Sequence, residues 1–291
     1  MTIWFGGGLG NQMFQYGLYR SAQYKGFEVQ ADLSAYDQMK MHNGFELGSV
    51  FNIKLDVSRE GFRLYRKDLV SRVIRKVGFK EFGVERNIIR EVESKYIPNL
   101  LRADHAGKYL FGYWQSERYF EDVASELMDA YSFPPLSNNS DRTAEEIAKT
   151  ISVAVHVRRG DYLKSTMYAD LCTTTYYREA MRTIREEREN VTFFIFSDDL
   201  AWCRRHFSED QSIQFVDGGD QAKAYEDMYL MSLCEHNIIA NSSFSWWGAW
   251  LNRHEGKIVL APDQWFHPAS RYDASAIIPE RWRIIRTSAD R

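Results

Sequence analysis

From residue 151 to residue 260, short β-branched or aromatic runs alternate with helical patterns, and this alternation limits the fold more than any other feature of the chain. The apolar runs are 151–157, 191–197, 213–216, 237–240 and 258–260. Between them the spacing predicts helices over 175–189, 200–207, 221–235 and 244–252. Strands that alternate with helices over short connections require right-handed crossovers, and so a parallel, doubly wound α/β sheet. Ligands of such sheets sit at the carboxyl ends of the strands, in the crevice where strand order reverses. The motifs that carry chemistry fall at those ends.

The N-terminal part opens in a related way. Residues 2–5 read as a buried strand running into Gly6-Gly7-Gly8-Leu9-Gly10, and 11–24 carries small or apolar residues at helical spacing. Residues 108–112 read as a further strand and 117–131 as a further amphipathic helix. Turn and breaker residues then fill 132–140, which marks a linker, with helix resuming near Asp141. A length of 291 residues fits two domains of roughly 150 residues each. The expected division is 1–135 and 141–291.

Composition excludes several classes. With 44% hydrophobic and 26% charged residues the chain is globular material, which rules out disorder, collagen and a disulfide scaffold. Lys+Arg 37 against Asp+Glu 40 gives 37 − 40 = −3, so no overall positive field draws the protein to nucleic acid. Any anion must be held locally. Three cysteines without C-x-x-C spacing fit reduced thiols. The opening residues lack a secretory signal pattern and no stretch approaches the ~18 apolar residues of a membrane span, so a cytoplasmic protein is expected. Residues 62–77 place Leu69, Val70, Val73, Ile74 and Val77 on one helical face and several cations on the other. Packing on its own domain is the first expectation for that segment; peripheral contact with the inner face of a membrane is the second.

Four motifs remain. The glycine loop fails the G-x-G-x-x-G dinucleotide fingerprint, because that pattern read from Gly6 ends on Asn11 and read from Gly8 ends on Met13; G-x-x-x-x-G-K-[ST] is absent. Its physical content survives: glycines admit a ligand close to backbone N–H groups, and a helix N-terminus favours negative charge. The strongest constellation is Val155-His156-Val157-Arg158-Arg159-Gly160-Asp161-Tyr162, at the end of the best predicted strand. A guanidinium fork matches phosphate, and strand alternation puts His156 and Arg158 on one side, so Arg158 is expected on the ligand and Arg159 in the scaffold. Asp198-Asp199, after the second strand, read as a helix N-cap that could also orient an arginine, and with no Asp-x-Asp in the chain no metal is assigned. Finally, Asp227 precedes Ala240-Asn241-Ser242-Ser243-Phe244-Ser245-Trp246-Trp247, another strand, turn and helix start suited to an anion. Asp227 could accept from the N1–H and N2–H₂ edge of guanine. The Trp246, Trp247 and Trp250 group is expected to pack its helix on the sheet.

Taken together, HVRRGDY, FSDD, the segment from Asp227 through ANSSFSWWGAW and the N-terminal GGLGNQMFQY resemble the α-1,2-fucosyltransferases of glycosyltransferase family 11. The resemblance implies a GT-B-like α/β fold, two Rossmann-like domains facing a cleft, with acceptor binding assigned to 1–135 and GDP-sugar binding to 141–291. It implies inverting, metal-independent transfer of L-fucose from GDP-β-L-fucose to the 2-hydroxyl of a terminal galactose in an oligosaccharide, without a cofactor. Residues implied for GDP-fucose are Gly8, Gly10, Asn11, His156, Arg158, Asp199, Asp227, Asn241, Ser242, Ser243 and Phe244. Arg158 and His156 carry over as catalytic. Asp161 is the first candidate for the base, with His42 and Glu46 behind it. The alternatives are a transferase of another nucleotide sugar on the same scaffold and a non-catalytic carbohydrate-binding protein, which the 15% aromatic content would suit.

Overall fold

The computed structural model describes residues 1–38, 43–58, 87–217 and 223–287, and the chain divides into two compact units. One comprises Met1–Ser132 with Ser275–Ile277, the other Phe133–Ala274 with Ile278–Arg291. His42 and the basic segment 62–77 lie outside the described residues. Among those described, no helix is long and apolar enough to cross a membrane.

The first unit is organised on a parallel sheet of β1 (Thr2–Trp4), β2 (Gln30–Asp32), β3 (Ile88–Arg90) and β4 (Tyr109–Phe111), in the order β2-β1-β4-β3. The register sets Ile3 beside both Ala31 and Leu110, all three fully buried. Helix α1 (Leu9–Tyr24) starts two residues before the sequence reading places it, so the glycine turn shortens to Gly6–Gly8. Gly17 is what lets α1 pack closely: an added Cβ would lie 2.6 Å from the Phe120 ring. Helices α2 (Ser34–Gln38) and α3 (Leu47–Phe51) follow β2. The helix expected over 117–131 is instead two 3₁₀ turns, Glu117–Tyr119 and Glu121–Val123, leading into α4 (Ala124–Ala130). The break falls at Phe120, whose φ of −139° is not helical and whose fully buried ring packs on Phe14 of α1.

In the second unit, α5 (Asn138–Ile147) begins inside the stretch expected to be linker. The two long strands β5 (Ile151–Val157) and β6 (Val191–Ser197) pair over all seven residues at the expected positions. With β7 (Ile213–Phe215), β8 (His236–Ile238), β9 (Val259–Pro262) and β10 (Arg283–Ile285) they form a parallel sheet in the order β10-β9-β8-β5-β6-β7. Val153, Val155 and Val157 enter an apolar cluster with residues of α6 (Thr174–Glu187) and α7 (Leu200–Phe207). Alternation therefore turns His156 to the opposite face of the sheet. Helices α8 (Tyr225–Leu233) and α9 (Ser243–Leu251) precede and follow β8. Trp246, Trp247 and Trp250 are buried, with Trp246 stacked on Trp250 and near Trp282, as expected of a helix packed by its tryptophans.

Candidate functional site

In the second sheet the order runs outward from β5 in both directions, through β6 and β7 on one side and β8, β9 and β10 on the other. Strand order therefore reverses between β5 and β8, and beyond the carboxyl ends of these strands is where sheets of this kind hold their ligands. The pairing of Val155 with Ile238 brings the residues after Val157 beside those after Ile238. HVRRGDY and ANSSF, whose first residues His156 and Ala240 are 84 positions apart in sequence, are thus adjacent at the switch point.

Arg158 is held there by two carboxylates. Its Nη2 donates to Asp161 Oδ1 at 2.7 Å, and its Nη1 lies 3.0 Å from Asp198 Oδ2. Asp198 Oδ1 also accepts from the Arg159 amide at 2.8 Å. Gly160 makes this approach feasible, since a Cβ there would stand 2.6 Å from Asp198 Oδ2. A guanidinium has five N–H donors, so two are spent on orientation and the others stay available to an anion. Arg159 points elsewhere, with Nε 3.4 Å from Asp199 Oδ2 and its guanidinium 4.1 Å from the centre of the Trp202 ring. Asp199 caps α7, its Oδ1 accepting from the Trp202 amide at 3.0 Å. The sequence reading allowed one arginine to brace the turn through Asp161 and expected that arginine to be Arg159. The structure corrects this: Arg158 makes the pair, because the chain leaves the extended conformation after Val157 and alternation ends there.

His156 is 5% exposed, and its Nδ1 has no hydrogen-bond partner among the described residues. Burial, and secondarily the neighbouring Arg158 charge, pull its pKa down to about 3, so it is neutral at pH 7. A buried polar atom without a partner is uncommon and costs stability unless something completes it. Asp227, on the first turn of α8, is pushed up to about 7 by burial and then by Glu226 beside it. Glu226 itself is occupied by the Ser137 amide and the Ser137 and Ser140 hydroxyls at the start of α5.

At the other motif, Ser242 caps α9, its hydroxyl accepting from the Phe244 amide at 3.3 Å, and the Phe244 ring lies 5.7 Å from that of His156. Ser243 and Phe244 are half-buried at the helix start. Asn241, implied for the donor, is 2% exposed and its side chain is occupied within the scaffold: Nδ2 donates to the Trp265 carbonyl at 3.1 Å and Oδ1 lies 3.6 Å from Cys172 Sγ. Near α5, residues of β6 and β7 line an open cavity of about 250 Å³ whose walls include Arg142, Glu146, Phe194, Gln214 and Asp217.

The glycine loop belongs to the first unit. Gly7 has φ +83°, and an added Cβ would overlap Asn11. Gly8 precedes α1, while Gly10 and Asn11 fall in its first turn; Asn11 Oδ1 accepts from Gln115 Nε2 at 2.6 Å. Gln12, fully buried, donates to the carbonyls of Gly7 and Gly44 and accepts from the Glu46 amide. Glu46 is 8% exposed and accepts from Asn43 Nδ2.

Sequence reasoning missed Glu91, directly after β3. Its Oε2 accepts from the amides of Tyr113 and Trp114 at 2.7 and 3.2 Å, and burial raises its pKa. The contact spans 22 residues, and only the isolated Gly112 hinted at it: a Cβ there would lie 2.5 Å from Glu91 Cβ.

A family profile for glycosyl transferase family 11 matches residues 2–286. An α-1,2-colitosyltransferase of Escherichia coli is 34% identical over 95% of this chain and 95% of its own length. A galactoside 2-α-L-fucosyltransferase of Bos taurus is 28% identical over 86% of this chain and 64% of its own. Among solved structures, FUT1 of Arabidopsis thaliana in complex with GDP superposes with a TM-score of 0.50 at 12% identity, covering 93% of this chain and 71% of that one. At that identity the likeness is one of fold. The fold is the expected GT-B-like α/β architecture, each unit carrying its own parallel sheet.

Proposed function

The chain belongs to glycosyltransferase family 11, and from that premise we propose that it transfers L-fucose from GDP-β-L-fucose to the 2-hydroxyl of a terminal galactose, with inversion and without a metal ion. The observation that carries this reading is Arg158, oriented by Asp161 and Asp198 at a switch point that also holds an α-helix N-terminus and the partnerless His156 Nδ1. That combination suits a nucleoside diphosphate better than a neutral sugar. The second unit then takes the donor and the first takes the acceptor.

As the bond between fucose C1 and the β-phosphate oxygen breaks, its electron pair leaves with the diphosphate and C1 becomes oxocarbenium-like. The galactose oxygen bonds to C1 from the opposite face and its proton passes to a base. Negative charge builds on the β-phosphate, where Arg158, the Ser242 and Ser243 hydroxyls and the first amides of α9 are fixed in advance to meet it. Asp161, the first candidate for the base, is occupied by Arg158 at 2.7 Å, and in this reading it positions the guanidinium. His156, neutral, completes its hydrogen bonding on the nucleotide, and Asp227 accepts from the guanine edge. Both roles follow from burial, which makes an unmet polar group costly.

A second reading has a specific support. The relative at 34% identity is named for colitose, which is L-fucose without its 3-hydroxyl, and in this reading the donor pocket is built for the deoxygenated sugar. A mass-spectrometric transfer assay tests both readings, with GDP-fucose or GDP-colitose, galactose-terminated oligosaccharides and a chelator present. Fucosylated product in chelator is expected. Product from GDP-colitose alone would replace fucose in the reading, and product from neither donor would overturn it.

A further inference from the structure

At the carboxyl end of the first sheet, the loop after β4 is folded around one carboxyl group. β3 and β4 pair with Arg90 beside Phe111, so Glu91 and Gly112 emerge together. The missing side chain of Gly112 leaves the space in which the Glu91 carboxyl lies, and the Tyr113 and Trp114 amides both donate to Oε2. This arrangement requires Trp114 to adopt φ +56°, a left-handed conformation that costs a bulky residue stability and that its fully buried ring helps to hold. Glu91 Oε1 is left without a hydrogen-bond partner among the described residues. The same turn presents Tyr113, 37% exposed, its ring and that of Trp4 steeply inclined with centres 5.7 Å apart. On its other side Gln115 and Asn11 form an amide pair.

We propose that Glu91 and Tyr113 form the subsite for the acceptor sugar, a galactopyranose whose C–H face packs on the Tyr113 ring while one of its hydroxyls donates to Glu91. This inference rests on the reading of the chain as a galactoside-modifying transferase and deepens it. A pyranose has a face of C–H groups and a rim of hydroxyls. The negative face of an aromatic ring attracts the first, and a carboxylate with an open lone pair attracts the second. Neither group resembles the arginine-centred cluster of the second unit, and neither suits a diphosphate. Burial limits how far water competes for the carboxyl group.

The test uses the intact chain and three variants, Glu91→Gln, Tyr113→Ala and Tyr113→Phe. Saturation-transfer NMR reports binding of a β-galactoside to donor-free protein, and steady-state assays separate acceptor KM from donor KM. Glu91→Gln can still accept the two amides and so keeps the loop; it is expected to raise acceptor KM roughly ten- to hundredfold. Tyr113→Ala is expected to raise it about tenfold, with recovery in Tyr113→Phe, while donor KM and GDP affinity stay at wild-type values. Wild-type acceptor KM in both Glu91→Gln and Tyr113→Ala would overturn the inference and leave the transferase reading intact. A galactoside signal lost in those variants would uphold it even if the transferred sugar is not fucose. No galactoside signal from the wild-type protein would overturn the subsite.

Discussion

The two parallel sheets end in different chemistry. Beyond β5 the second unit gathers two arginines and three aspartates, each ion-paired, around a helix start. Beyond β1, β3 and β4 the described residues of the first unit offer glycines, the side-chain amides of Asn11, Gln12 and Gln115, and the carboxyl groups of Glu91 and Glu46. The shared architecture sets where ligands go, and the residues at the strand ends set what they are. An end built on arginines suits a leaving diphosphate, whereas an end of amides, aromatic rings and carboxyl groups suits a sugar. The strands differ as well: β5 and β6 run seven residues in full register, while each strand of the first unit has three. The unit proposed to meet a developing charge has the longer strands.

If charge separates the two ends, removing it should produce the largest effect. Arg158→Ala is expected to lower kcat by about 10²–10³, which is ~3–4 kcal/mol, without loss of the fold, as steady-state kinetics and thermal melting will read. A variant within tenfold of wild type would end the contrast. The amide-rich end should instead register in stability. Gln12→Ala removes three hydrogen bonds, two of them buried, and is expected to cost about 1–3 kcal/mol in urea unfolding. A cost under ~0.5 kcal/mol would show that the amide network is not what holds the glycine loop.

Asp227 sharpens the comparison through pH. Its carboxyl group, raised to about 7, must be ionised to accept from guanine, so protonation competes with the nucleotide. GDP affinity should therefore rise up to about tenfold per pH unit on approaching pH 7 from below and level off above it. Calorimetry between pH 5.5 and 8 will read the slope, and Asp227→Asn should flatten it; a slope that persists in the variant would assign it to another group. The smallest effect is expected where the arginine belongs to the scaffold. Arg159→Lys weakens the stack on Trp202 and the pair with Asp199, at a cost of about 0.5–1 kcal/mol and with kcat within about threefold. A much larger loss of kcat would place Arg159 on the ligand.

These two ends were unequally legible in the sequence. Strands β5 and β6 could be read to the residue because long β-branched and aromatic runs have little alternative as secondary structure. Gln30-Ala31-Asp32 has no such pattern and becomes β2 through its pairing with β1 and a bridge to Val57, and the three-residue β3 and β10 escaped notice for the same reason. At the site, HVRRGDY concentrates charge within a few residues and so announces itself. Which arginine braces Asp161 was not readable, since it depends on where the extended backbone stops. Glu91 was invisible for a different reason: it is one acidic residue among several in its segment, and its partners lie 22 and 23 residues away. The trace it left was Gly112, a glycine with an ordinary φ whose purpose is space.

The division of the chain has a consequence for how the protein is made. Ser275–Ile277 group with the first unit, and only afterwards does Arg283–Ile285 supply the outermost strand of the second. Both units thus wait for a late stretch: the first is incomplete until residue 277 has left the ribosome, and the second until residue 285 has. Completion on the nascent chain should be nearly simultaneous rather than sequential, against the usual order in which the leading domain folds first. Severing the gene at the boundary near residue 132 would give two fragments, one lacking its last piece and the other carrying a segment that belongs elsewhere.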